Sequence, residues 1–336
     1  MKKLVSVIMS TYNTPKEYLK KSIESILNQT YKNIEFIIIC DGEYTEYEYI
    51  KKIFKDERIV LIFNKSNKGL PASLNEGIRI AKGEYIIRMD SDDICLPKRI
   101  ITQVKYLEKH PNIKICAMYS KTFGDFNKKV RNYMNNPKEI QALLLFSCCI
   151  VHPTVAIRKN FLIENNLYYN EEFECSQDFE LWSRASKNAN IAIIKQYGLM
   201  YRVHNQQASQ YKRNIQLKYT NEILKLNALK ISTDKSEKII KTFKILSFLM
   251  DISEENYIEV SNMIDYIVQK NEIMDKKALQ KVLYNRYFFL LFKSKILNRR
   301  LINIIKNSSV RKKIFQVYNF NFILWGIGKR IEEKWI

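Results

Sequence analysis

Asp90, Ser91, Asp92 and Asp93 follow directly on the apolar run 84–89. Three carboxylates this close repel one another unless a cation or a basic group compensates. A hard divalent ion such as Mg2+ or Mn2+ takes oxygen ligands and bridges diphosphate oxygens, so one chemistry open to the triplet is holding a metal against a diphosphate. The other is an acid cluster near a helix N-terminus, since Pro97 soon opens a helical pattern. Three more polar groups end apolar runs: Ser10-Thr11-Tyr12-Asn13, Asp41-Gly42, and the stretch from Asn64 through Asn67 and Lys68 to Gly69. Ligands of open α/β sheets bind beyond the carboxyl ends of the strands. Four polar strand ends therefore point to a ligand edge more strongly than any one motif does.

The elements that must carry these groups alternate. Residues 4–9, 34–40, 58–63 and 84–89 are apolar runs of strand type, and they are separated by helical patterns from Pro15, over 44–54 and over 71–81. Such alternation predicts right-handed crossovers and a mostly parallel sheet with both faces covered, hence continuous rather than alternating apolar strands. Beyond Pro97 the spacing predicts helices over 98–109, 137–146 and 177–189. Strands are predicted over 113–122, 151–157, 191–194 and 199–203. From about residue 207 helical periodicity dominates.

The segments Gly69-Leu70-Pro71-Ala72-Ser73-Leu74-Asn75-Glu76-Gly77, Ala81-Lys82-Gly83-Glu84-Tyr85-Ile86 and Arg88-Met89-Asp90-Ser91-Asp92-Asp93 resemble glycosyltransferase family 2. So do Ser10-Thr11-Tyr12-Asn13 and Ser25-Ile26-Leu27-Asn28-Gln29-Thr30-Tyr31. The resemblance spans roughly residues 3–210. Within the family it is similar to bacterial enzymes that build capsule, exopolysaccharide or lipopolysaccharide.

This resemblance implies a GT-A fold: a nucleotide-binding half over 1–95 and an acceptor-binding half over 96–215, followed by a helical, basic region over 216–336. It implies an inverting, metal-dependent hexosyl- or N-acetylhexosaminyltransferase that uses a nucleotide-sugar donor, usually UDP-linked, and a glycan or lipid-linked glycan acceptor. The nucleotide would meet Thr11, Tyr12, Asn13, Asp41, Asn67, Lys68, Asp90 and Ser91. A Mn2+ or Mg2+ ion would sit on Asp92 above all, with Asp90 and His204. Many relatives carry Arg before Asn75 where this chain has Leu74, which leaves Lys68 to replace a phosphate contact. An inverting transfer needs a carboxylate to take the acceptor's proton. Cys175-Ser176-Gln177-Asp178 resembles the family's acidic pair at a helix start, with Gln177 in place of the first acid and Asp178 as the base. Capping of the helix by Ser176 or Asp178 is the plainer alternative. Glu180, two residues on, should face away. Gln177 falls on the acceptor side, His152 either binds acceptor or simply packs, and His110 belongs to a helix end.

The net charge of +21 implies an anionic partner. It is concentrated late in the chain, since residues 276–336 hold 15 Lys and Arg against 2 acids. That stretch interleaves the basic groups with Tyr284, Tyr287, Phe288, Phe289, Phe292, Phe315, Tyr318, Phe320, Phe322 and Trp325. Either it rests on an anionic membrane surface, or its aromatics pack and its basic groups form a solvated face. No recognised reader module supports nucleic-acid binding. A nucleotidyltransferase, the main alternative beside a noncatalytic nucleotide binder, would carry a Gly-rich loop that residues 6–14 lack. A processive synthase would carry membrane spans and a Q-x-x-R-W motif, and neither is present. Six cysteines without C-x-x-C spacing argue against a zinc site or a disulfide framework. The expected location is the cytoplasm, peripheral to the inner face of the membrane.

Overall fold

The computed structural model describes residues 3–125, 127–130, 136–204, 213–251 and 256–293. The chain forms two compact units. The first comprises Met1–Ile140 and Cys148–Thr220, and the second Gln141–Ser147 and Asn221–Ile336.

The first unit is built on a nine-stranded mixed sheet. Strands β1 (Val5–Thr11), β2 (Ile34–Asp41), β3 (Ile59–Asn64) and β4 (Tyr85–Asp90) run parallel in the order β3-β2-β1-β4. Helices α1 (Lys16–Leu27), α2 (Tyr44–Ile53) and α3 (Leu70–Ile80) connect them. Val5, Val7 and Met9 face one side, where Leu19, Ile23 and Ile26 of α1 join the core. Ile8 faces the other side, where α3 crosses. There Gly77 allows the close approach, because a Cβ at that position would lie 2.5 Å from Ile8 Cγ2. Both faces of β1 are thus covered, which is why the strand reads as an unbroken apolar run.

The sheet continues through β5 (Ile94–Cys95), β6 (Ile113–Gly124), β7 (Lys129–Val130), β8 (Ala156–Arg158) and β9 (Asn190–Val203). Helices α4 (Arg99–Lys109), α5 (Pro137–Leu143), α6 (Lys159–Glu164) and α7 (Gln177–Ala185) intervene. β8 is antiparallel to both β4 and β6, β9 is parallel to β6, and β5 is antiparallel to β9. Two expectations need correction. The strands expected at 191–194 and 199–203 are one strand, β9. Exposed Lys195 and Gln196 interrupt its apolar pattern where the pairing with β6 shifts register. The strand expected over 151–157 is a 3-10 turn at His152–Thr154 followed by the short β8. Pro153, which has no N–H for a ladder bond, accounts for the turn.

In the second unit, α8 (Arg213–Ile231, which begins in the first unit), α9 (Ser236–Leu246), α10 (Asn256–Lys270) and α11 (Lys276–Lys293) carry the fold. Its core includes Phe243, Tyr257, Ile264, Leu279, Val282 and Tyr287, all fully buried. Tyr284 donates to Asp265 Oδ1 at 2.6 Å, and Tyr287 donates to the Tyr257 carbonyl at 3.1 Å. Tyr284, Tyr287 and Phe288 therefore pack inside this unit and are not available to a membrane surface. Phe315, Tyr318, Phe320, Phe322 and Trp325 lie outside the described residues, as does the side chain of Phe292. Among the described residues no helix is long and apolar enough to cross a membrane.

Candidate active site

The carboxyl ends of the four parallel strands meet on one edge. The register sets Ser10 beside Asp90, Thr11 beside Cys40, and Asp41 beside Asn64. Alternation along β4 sends Tyr85, Ile87 and Met89 into the core and puts Arg88 and Asp90 on the opposite face. There the two form an ion pair. Burial pushes the Asp90 carboxyl up, and the Arg88 guanidinium opposes that push. The strand end is pinned by Ser22, whose hydroxyl donates to the Asp90 carbonyl at 2.8 Å.

The three acids of the loop offer oxygens within 4.8 Å of one another, but they stand in different surroundings. Asp93 is fully buried. Its Oδ1 accepts the Arg202 N–H at 2.8 Å, and its Oδ2 has no protein partner. Burial above all, then the charges of Asp90 and Asp92, hold its carboxyl well above the ordinary range. Asp92 is half-buried, with Oδ2 at 3.0 Å from His204 Nε2. Two ligands at right angles on an octahedral cation, each about 2.1 Å from it, stand roughly 3 Å apart. The Asp92–His204 separation is thus compatible with adjacent ligands of a divalent ion, and Asp90 and Asp93 bring further oxygens close to that of Asp92.

On the nucleotide side, Thr11 is buried at the end of β1, Tyr12 is half exposed, and Asn13 adopts a left-handed conformation that suits asparagine. Glu46 of α2 accepts from Thr11 Oγ1 at 3.1 Å and from the Thr14 N–H at 2.5 Å. Thr14 Oγ1 lies 2.7 Å from Ser91 Oγ, which joins the loop after β1 to the acid loop. Burial pushes the Glu46 carboxyl up. Asp41 is 1% exposed. Its Oδ1 accepts from Asn64 Nδ2 and the Lys68 N–H, each at 3.0 Å, and its Oδ2 accepts from the Gly69 N–H at 2.9 Å. Asn67 Nδ2 donates to the Asp41 carbonyl at 3.2 Å. In this state Asp41 is therefore first of all the tie that shapes the 64–69 loop. Lys68 reaches Asn64 Oδ1 at 3.0 Å and Glu76 at 3.3 Å. Leu74 is buried.

Asp178 stands in the first turn of α7. Ser176 stands at the N-cap, but its side chain does not cap the helix. That residue has a left-handed φ of 58°, and its hydroxyl turns to the Gln216 carbonyl and Thr220. Burial pushes the Asp178 carboxyl up, while the Phe179 N–H and the Arg88 charge pull it back and Asp90 adds to the rise. The candidate base, Arg88 and Asp90 therefore share one electrostatic site. Cys148 Sγ lies 3.9 Å from Asp178 Oδ2. Gln177 is buried beside it. Glu180 is occupied by Arg184, whose Nε and Nη2 donate to it at 2.5 and 2.7 Å, as its sequence spacing implies. His152 is buried, with Nε2 at 2.7 Å from the Tyr169 hydroxyl and its ring against Trp182. Burial first, then Arg88, hold it well below the ordinary histidine range, so it is neutral. His110 packs on Tyr106 at its helix end.

Sequence reasoning missed Glu46, Arg202 and Asn75. Asn75 joins α3 to the segment before α7 through Tyr169, giving Nδ2 to its carbonyl at 2.9 Å and accepting its N–H at 2.8 Å. Each of the three acts on a partner more than 30 residues away, and local spacing carries no sign of such partners.

The family profile described as "Glycosyl transferase family 2" matches residues 6–176. An uncharacterized glycosyltransferase of Haemophilus influenzae is 31% identical over 314 residues, covering 83% of this chain and 95% of its own. The Escherichia coli UDP-Glc:alpha-D-GlcNAc-diphosphoundecaprenol beta-1,3-glucosyltransferase WfaP is 34% identical over 208 residues, covering 60% of this chain and 78% of its own. Among solved structures, S. aureus TarS 1-349 in complex with UDP-GlcNAc superposes with a TM-score of 0.57 at 16% identity, over 94% of this chain and 93% of that one. That last likeness concerns the fold, which is of the GT-A type. By sequence, the chain belongs to glycosyl transferase family 2.

Proposed function

We propose that this glycosyltransferase moves a sugar from a UDP-linked donor to a hydroxyl of a glycan acceptor with inversion, in the assembly of a surface polysaccharide. One observation carries the reading: the half-buried carboxyl of Asp178 is held beside the Arg88–Asp90 pair, at the strand ends where a nucleotide diphosphate would bind. WfaP, whose name specifies a UDP-glucose donor and a diphosphoundecaprenol-linked acceptor, and TarS, solved with UDP-GlcNAc, support the donor class.

In this reading Asp178 takes the proton of the acceptor hydroxyl as that oxygen bonds to the anomeric carbon. The bond from that carbon to the β-phosphate oxygen breaks, and UDP leaves with the electron pair. Displacement from the side opposite the leaving group inverts the anomeric centre. Asp92 and His204, with Asp90 adjacent, would hold a Mn2+ or Mg2+ ion, which supplies charge neutralisation on the departing diphosphate. Thr11, Tyr12, Asn13 and Ser91 line the nucleotide pocket. Asp41 and Asn67 keep the loop beside that pocket in place, and Lys68 supplies a cation there. Gln177 borders the acceptor side, where His152 supports Tyr169.

The lipid-linked acceptor in the name of WfaP also supports a place at an anionic membrane surface, reached through the basic residues beyond α11. A panel of nucleotide sugars, assayed for hydrolysis with and without Mn2+, tests the core of the proposal. Mn2+-dependent release of UDP from one donor is expected. No turnover or binding of any nucleotide sugar would overturn it.

A further inference from the structure

Arg202 takes no part in the chemistry assigned to Asp178, yet it touches the acid loop, α1 and β6. β5 pairs with β9 through Ile94 and Met200, and two more residues in that antiparallel register set Asp92 opposite Arg202. Arg202 Nε donates to the Asp92 carbonyl at 2.7 Å, and the Arg202 N–H donates to Asp93 Oδ1 at 2.8 Å. Its guanidinium lies between two rings, 3.9 Å from the centroid of Tyr18 on α1 and 4.4 Å from that of Phe123 on β6. The Tyr18 ring also lies 5.7 Å from the ring of His204. A guanidinium stacked between aromatic faces and bonded through a defined N–H has little freedom to turn, and lysine cannot reproduce that geometry. The main chain at Asp92 is therefore gripped by the same strand end that, two residues later, presents His204.

We propose that Arg202, seated by Tyr18, is a positioning residue that fixes the Asp92 carboxylate and the His204 imidazole at the separation a divalent cation requires. The inference rests on the reading of Asp92 and His204 as cation ligands. Partners that orient metal ligands are worth about 10–100-fold in metal affinity. The strand-end grip predicts an effect on the cation that uracil and ribose binding do not share.

The test is a Mn2+ titration of the full chain, with UDP present, that follows free Mn2+ by electron paramagnetic resonance. It compares wild type with Arg202→Met, Arg202→Lys, Tyr18→Leu and Asp92→Asn, each checked by circular dichroism. Asp92→Asn should lose Mn2+ binding. Arg202→Met should weaken it about tenfold or more, with UDP affinity in EDTA unchanged, and Arg202→Lys should fall between wild type and Arg202→Met. In turnover, Arg202→Met should raise the Mn2+ concentration for half-maximal rate far more than it lowers the rate at saturating Mn2+. If Arg202→Met and Tyr18→Leu bind Mn2+ like wild type while Asp92→Asn does not, the positioning role is wrong. If Asp92→Asn itself binds Mn2+ like wild type, the ligand reading falls and the positioning role falls with it. Should Arg202→Met not fold, Tyr18→Leu decides, because it leaves the Arg202 bonds to the Asp92 carbonyl and Asp93 Oδ1 in place and removes one face of the stack together with the ring contact to His204.

Discussion

Arg88 is a buried cation among carboxyl groups, and its charge acts on each of them differently. It pairs with Asp90, favours the ionised form of Asp178 against burial, and adds to burial in keeping His152 neutral. Asp178 must be ionised to accept a proton, and burial outweighs Arg88 there, so its pKa lies above the ordinary carboxylate value. The acid limb of kcat/KM should accordingly lie above the range of an ordinary aspartate, with activity lost as pH falls through the raised pKa. Replacing Arg88 by Met should move that limb further up, which a pH–rate profile would detect. Asp93 gives the opposite sign in stability. Its folded-state pKa is raised, so the metal-free native state holds a proton that the unfolded chain releases, and stability from this residue declines as pH rises from the unfolded value toward the folded one. Asp93→Asn keeps an acceptor for the Arg202 N–H. In EDTA it should melt at or above the wild-type temperature near pH 7, with a flatter dependence of Tm on pH.

The polar strand ends were legible in the sequence for a physical reason. The parallel strands are covered on both faces, so each apolar run stops abruptly where the chain reaches the ligand edge. β9 was legible only as two short strands, because Lys195 and Gln196 sit at its register shift and read as a break. That break also hid how Arg202 and His204 arrive at the acid loop. Asp41 shows a further limit. Its residue type and place at a strand end suggest a ligand contact, whereas its oxygens already accept three donors of the 64–69 loop. Gly42 belongs to the same tie, with φ at 96° and a virtual Cβ 2.6 Å from the Asn67 nitrogen. Gly42→Ala should cost about 1–3 kcal/mol through the strained backbone. Because the clash falls on the main chain of the loop, it should also weaken UDP binding. Chemical denaturation and calorimetric titration would check the two effects.

At the scale of the molecule, the charge asymmetry remains a sequence property that the second unit only partly absorbs. α11 supplies Leu279, Val282, Leu283 and Tyr287 to a core, so removing the chain from residue 276 onward would strip side chains worth roughly 1.5–3 kcal/mol each. Ending the chain after Lys293 spares that core and still removes 10 Lys and Arg against 2 acids. This shorter form should keep its melting temperature and lose most of its sedimentation with anionic liposomes, and added salt should weaken binding of the full chain. Equal liposome binding by both forms would rule out the basic end as the membrane contact.

The account divides labour between two places nearly ninety residues apart in sequence: a strand-end loop that holds the donor and a helix-start carboxylate that takes the proton. The most direct test is to measure UDP affinity with Mn2+ and turnover of the productive donor for Asp178→Asn in parallel. The expected result is wild-type UDP affinity with turnover reduced by about 10²–10⁴-fold. Turnover near the wild-type rate would contradict the assignment of the base, and with it the proposed mechanism.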